Sequence, residues 1–153
     1  MAIEIRRIVS IVALMLAASV TAPQAQQTMD AAVIVQFQRA ADSYAFQHRQ
    51  TERRGAAPAP LVEGAFFTPQ VAAAFRSRIQ RSGCENSQGS AASAVPRPNG
   101  STEGTSALPP CLSAVLPALP PELEYRASGV ALLLTDAHLH IVVDVLHAAF
   151  PQP

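Results

Sequence analysis

Between Leu123 and Leu146 the chain alternates aliphatic runs with turn residues, and this stretch restricts the possible folds more than any other. Leu123–Ala127, Val130–Thr135 and Ile141–Leu146 are rich in Val, Leu and Ile, which suit a pleated, half-buried surface. Ser128-Gly129 separates the first two runs, and Asp136 to His140 separates the second from the third. Short apolar runs divided by such turns predict a three-stranded antiparallel meander. With a side-chain period of two, Leu123, Tyr125, Ala127, Val130, Leu132 and Leu134 share a face whether the loop is Ser128-Gly129 or Val130-Ala131. Ile141, Val143 and Val145 are expected to join that face. Glu124, Arg126, Thr135 and Asp144 then lie on the opposite, solvated one.

A single apolar sheet face must be buried against a second layer, and two upstream segments have the pattern to supply it. From Met29 to about Glu52, residues Val33, Phe37, Ala40, Ala41, Tyr44 and His48 recur at spacings of three and four. This is the stripe of an amphipathic helix, and it makes His48 a packed residue. Asp30 suits the positive helix end, while Arg49, Arg53 and Arg54 suit the negative one. Gly55, with Pro58 and Pro60 beyond it, stops the helix. A second helix is predicted over Pro69 to Ser82, with Thr68 as N-cap, proline in its first turn and Gly83 as the left-handed C-cap. Its apolar face is Val71, Ala74, Phe75 and Ile79. Leu61, Val62, Phe66 and Phe67 connect the helices and are expected to pack beneath them. Leu112 to Leu116 makes at most a short helical turn. The predicted fold is α+β: two amphipathic helices, a long loop and a C-terminal meander.

The loop, at about 85–110, is built from Ser, Gly, Ala, Pro and Asn without periodicity. Between Gly89 and Ser106 only Val95 is a large apolar residue, so little burial offsets the cost of ordering, and a mobile, disordered loop is expected. Two cysteines, Cys84 and Cys111, bracket it. In an oxidising compartment their even number favours a disulfide.

That compartment is indicated by the N-terminus. Met1 to Arg7 ends in Arg6 and Arg7, Ile8 to Val20 is apolar except for Ser10 and Ser19, and Thr21 to Gln27 is small and polar. These zones are those of a secretory signal peptide, here expected to span residues 1–25 and to leave one small domain, 26–153, periplasmic or secreted. The apolar run is too short for a comfortable transmembrane helix, so no stable membrane span is expected after cleavage. The formal net charge is zero, and the eleven basic residues, all arginine, form no stripe; nucleic acid is not an expected partner.

The segment Leu119-Pro120-Pro121-Glu122-Leu123-Glu124-Tyr125-Arg126, followed by Gly129, Leu132, Asp136, His138, Val143 and Asp144, resembles a group of small exported bacterial proteins of unknown function. The run from Thr68 to Ile79 is similar to the same group. Tyr125, Arg126, Val143 and Asp144 also resemble the C-terminal segment of a periplasmic nickel/cobalt-homeostasis family, which implies a metal-related role.

Asp136, His138 and His140, with His147 downstream, form the only cluster of metal-capable residues read from the sequence. Two imidazoles two residues apart can converge on a divalent ion. The competing reading is an exposed turn in which Asp136 bonds its own backbone and His140 takes a left-handed conformation, and it is preferred because a firm site needs three or four fixed ligands. Glu124, Arg126 and Asp144 read as a surface ion-pair cluster rather than an acid–base site. No nucleophile motif, phosphate loop, CxxC or HExxH is present, so neither catalytic residues nor a cofactor are expected. The leading expectation is a non-enzymatic exported accessory or interaction protein with a periplasmic protein partner. The alternative is a periplasmic divalent-metal-binding protein using the Asp136/His138/His140 turn.

Overall fold

The computed structural model describes residues 22–84 and 94–150. The expected signal peptide lies almost wholly outside the described residues, as do positions 85–93 of the expected loop. Among the described residues no helix is long and apolar enough to cross a membrane.

Among the described residues there are three helices and a four-stranded antiparallel sheet: α1 (Ala22–Arg54), α2 (Pro69–Ser82), β1 (Ser106–Ala107), α3 (Pro110–Val115), β2 (Leu123–Ser128), β3 (Ala131–Asp136) and β4 (Ile141–Leu146). The strands lie in the order β1-β2-β3-β4. Helix α1 begins at Ala22, ahead of the Met29 expected from periodicity, and the compact unit that contains the site begins at Val33.

Helix α2 has the predicted bounds for the predicted reasons. The Thr68 hydroxyl accepts from Val71 N, Pro69 occupies the first turn where its missing N–H costs nothing, and Gly83 caps the end at φ 63°. Val71, Ala74, Phe75 and Ile79 are all buried. They pack with Ile34, Phe37 and Ala41 of α1, with Phe66 and Phe67, and with one face of the sheet. Phe37 and Phe75 meet edge-on at 4.8 Å between ring centroids. Val62, expected in the same core, is instead exposed.

The meander forms with a register that neither sequence reading contained. Ser128 pairs with Ala131, so the two-residue turn is Gly129-Val130, and Val130 leaves the strand. Gly129 takes φ 55°, which a glycine at the first loop position of a tight hairpin tolerates without strain. Between β3 and β4 the register shifts: Leu134 faces Asp144, whereas Thr135 faces Val142. Val143 is the extra residue of a β-bulge. The strict alternation expected of β4 is therefore broken. Val143 stays with the helix-side core, Asp144 turns to that side too, and Val145 moves to the second cluster with Ala131, Leu133 and Val142.

Asp144 is thus not a solvated residue beside Glu124 and Arg126. It is fully buried, and its carboxylate accepts four backbone N–H groups: Gly64 and Val145 on Oδ1, Phe66 and Phe67 on Oδ2, each at 2.8 Å. One side chain in this way fixes the connection between α1 and α2 against the sheet. Thr135, also expected on a solvated face, is buried and donates its hydroxyl to the Glu124 carbonyl at 3.2 Å. Glu124 and Arg126 do form the expected ion pair, at 3.1 Å.

The described part of the expected mobile loop, 94–110, is placed by backbone hydrogen bonds rather than apolar burial. Asn99 N donates to Val142 O and Val142 N to Gly100 O, both at 2.8 Å, on the outer edge of β4. A few residues later Ser106 and Ala107 pair with Ala127 and Arg126 as β1, the strand missing from the expected meander. Between these edges the Arg126 guanidinium holds Thr105 through its hydroxyl at 2.6 Å and its carbonyl at 3.0 Å, and Val95 packs on the second apolar cluster. Main-chain pairing leaves no hydrophobic periodicity to read. Cys84 and Cys111 are joined by a disulfide with Cα atoms 6.2 Å apart. Closing a loop of this length contributes about 2–4 kcal/mol in the chain-entropy picture.

Candidate metal site

Tyr44, His48 and Glu52 follow one another at intervals of four on α1, so helical geometry stacks them on one stripe. The stripe ends against the turn between β3 and β4. Asp136, the last residue of β3, was expected in an exposed turn but is fully buried there, because Tyr44 and His48 of α1 cover it, and its two carboxylate oxygens have separate tasks. Oδ1 accepts the backbone N–H groups of His138 at 2.9 Å and Leu139 at 2.8 Å, the Asx turn expected from sequence. His140 closes the turn at φ 54°, the left-handed conformation also expected. Oδ2 accepts the Tyr44 hydroxyl at 2.8 Å and stands 2.9 Å from His48 Nδ1. Burial and this bond to Asp136 push the Tyr44 phenol well above its ordinary range, so it stays a protonated donor.

With Nδ1 donating to Asp136, the other ring nitrogen of His48 presents its lone pair away from the carboxylate. The His48 side chain is 4 % exposed, and its Nε2 is buried without a hydrogen-bond partner among the described residues. Glu52 Oε1 lies 3.1 Å from it, close but outside hydrogen-bonding geometry. His138, brought over by the turn, places its Nδ1 3.9 Å from the same Glu52 oxygen. One donor atom from each of His48, Glu52 and His138 falls within 4.8 Å of the others. Around a tetrahedral ion with bonds of about 2.1 Å, ligand atoms stand about 3.4 Å apart, so closure onto a metal needs shifts of about 1 Å in side chains of which two are exposed. Nearby, Arg49 pairs with buried Glu122. Burial alone raises the Glu122 carboxyl, but the bond from Arg49, its own backbone N–H and the charges of Arg49 and His138 hold it below the usual carboxylate range.

A cavity of about 410 Å³ opens beside the cluster. His48 and Glu52 line it together with Tyr44, Phe66, Leu61 and prolines 58 and 60.

Of the residues offered as the alternative metal cluster, the structure brings His138 to the site as a candidate ligand and Asp136 as the group that orients a ligand. His140 does not join them: it is exposed, and its carbonyl accepts Thr102 N at 3.1 Å. His147 pairs with Glu63 at 2.9 Å, apart from the cluster. The two residues not foreseen as ligands, His48 and Glu52, carry a signal the sequence did contain: a histidine and a carboxylate at i, i+4 on a helix. Which loop would meet that helix is a long-range fact, and no local pattern states it. No protein family, curated protein or solved structure matches this chain.

Proposed function

We propose that this chain is an exported, non-enzymatic bacterial protein that binds a divalent transition-metal ion through His48, Glu52 and His138. One observation carries the reading: a buried imidazole nitrogen that lacks a hydrogen-bond partner stands beside two further donor groups, while its ring is held from behind by a carboxylate. A cation held between this nitrogen and the Glu52 oxygen, 3.1 Å apart, gives both atoms a partner. A carboxylate bonded to the far ring nitrogen, as Asp136 is to His48, fixes the tautomer of a metal-bound imidazole and raises its basicity. Two imidazoles and one carboxylate suit zinc, nickel, cobalt or copper rather than calcium or magnesium. Export is supported by the three-zone leader and the disulfide. Cell fractionation checks it: mature protein starting near Gln26 is expected in the periplasm, and full-length protein confined to the cytosol would contradict it.

Calorimetric titration of the mature protein with zinc, nickel, cobalt and copper is expected to show one ion per chain at micromolar or tighter affinity. His138→Ala is expected to abolish that binding, and His140→Ala to leave it unchanged. Both residues are exposed, so His138→Ala should alter stability by no more than about 0.5 kcal/mol, whereas His140→Ala, at φ 54°, should cost about 1 kcal/mol and still fold. Absence of binding, or its loss in His140→Ala but not in His138→Ala, would overturn the proposal.

A further inference from the structure

Resting on the metal-binding reading, we infer that the cavity beside the ion seats a small aromatic carboxylate whose carboxyl group completes the coordination. Three protein donors leave a tetrahedral ion one position short, and sites with three protein ligands hold an exogenous donor there. The cavity is where that donor has room. It shares His48 and Glu52 with the ligand cluster, and Leu139, the neighbour of His138, also lines it.

Charge permits the donor. Metal-bound imidazoles are neutral and Glu52 is the one anion bonded directly to the ion, so its first coordination sphere keeps one positive charge that an anionic oxygen donor meets, while Asp136 stands one hydrogen bond further out, behind His48. Shape selects the rest of the guest. At about 410 Å³ the cavity falls within the size range of small-molecule pockets. Flat side chains and prolines 58 and 60 line it, and Tyr44 and Phe66 meet edge-on at 5.9 Å, so a planar ring finds apolar contact and aromatic edges. Ser43, Gln47 and Thr51 are the polar lining on the α1 side.

Zinc and benzoate provide the test, with the mature, disulfide-bonded protein. Zinc affinity is measured first without benzoate, and benzoate affinity then with and without zinc. Zinc is expected to tighten benzoate binding about tenfold, and benzoate to tighten zinc binding by the same factor, because coupling between two sites is reciprocal. Ala56 is exposed and lines the cavity, so Ala56→Trp fills space without entering the core. This variant is expected to keep the zinc affinity measured without benzoate and to lose both benzoate binding and its effect on zinc. If zinc binds but benzoate does not, or binds equally with and without zinc, the inference fails while the metal site stands. If the coupling persists in Ala56→Trp, the cavity is not the seat and the inference fails. If zinc does not bind, both fall together.

Discussion

Asp144→Ala is expected to cost about 4 kcal/mol or more, a large share of the stability of a domain of this size. The carboxylate accepts four backbone N–H groups, and three of those bonds, from Phe66, Phe67 and Val145, are buried. Alanine leaves these donors with no acceptor, and each unsatisfied buried donor costs about 1–3 kcal/mol. The total stability of such domains is only about 5–15 kcal/mol. Glu124→Ala supplies the contrast. It removes a partly exposed ion pair with Arg126 and should cost about 0–1 kcal/mol. Urea unfolding of the three proteins checks both statements, and equal losses from the two variants would mean that Asp144 is not buried as described.

That contrast shows where the sequence was and was not sufficient. Helix α2 was legible to the residue because Thr68, Pro69 and Gly83 act locally, and its buried face follows from spacing alone. The helix side of β2 and β3 was legible for the same reason. Beyond Leu134 a single extra residue in β4 reverses the alternation, and nothing in the string Ile141-Val142-Val143-Asp144-Val145 marks where the bulge falls. Strict period two therefore sent Asp144 outward, whereas the bulge turns it toward the unpaired N–H groups before α2. The segment from 94 to 107 lacks the apolar residues that would predict order, yet its order comes from main-chain bonds to both sheet edges. Half of the candidate site was legible in the same sense. Asp136 and His138 were named, and both the Asx turn and the packed position of His48 were expected; the meeting of α1 with that turn is tertiary.

Asp136→Asn is the second substitution with a large expected effect, and it acts on stability and metal binding together. Asparagine keeps an acceptor for the turn amides of His138 and Leu139. It sets a donor NH₂ where the Tyr44 hydroxyl and the His48 Nδ1–H both point. Two hydrogen bonds to a charged, fully buried carboxylate are lost, and bonds of that kind contribute about 1.5–3 kcal/mol each, so a loss of about 3 kcal/mol or more is expected. In the fraction that remains folded, zinc affinity should fall about 10–100-fold, as it does when an outer-shell partner of a ligating histidine is removed. Tyr44→Phe separates the two effects. It removes only the hydroxyl bond, so it should lower stability by about 1.5–3 kcal/mol while His48 keeps its partner and zinc affinity changes little. A drop in affinity as large as that of Asp136→Asn would show that Tyr44, rather than Asp136, sets the ligand.

The most direct measurement is X-ray absorption at the zinc edge on the loaded mature protein and on its His138→Ala and His140→Ala variants. Ligation by His48, His138 and Glu52 predicts a first shell of nitrogen and oxygen at about 2.0–2.1 Å with the outer-shell scattering of two imidazoles. One imidazole should disappear in His138→Ala, and the His140→Ala spectrum should match that of the unmodified protein. A first shell of oxygen alone, a spectrum unchanged by His138→Ala, or loss of an imidazole in His140→Ala would contradict the assignment.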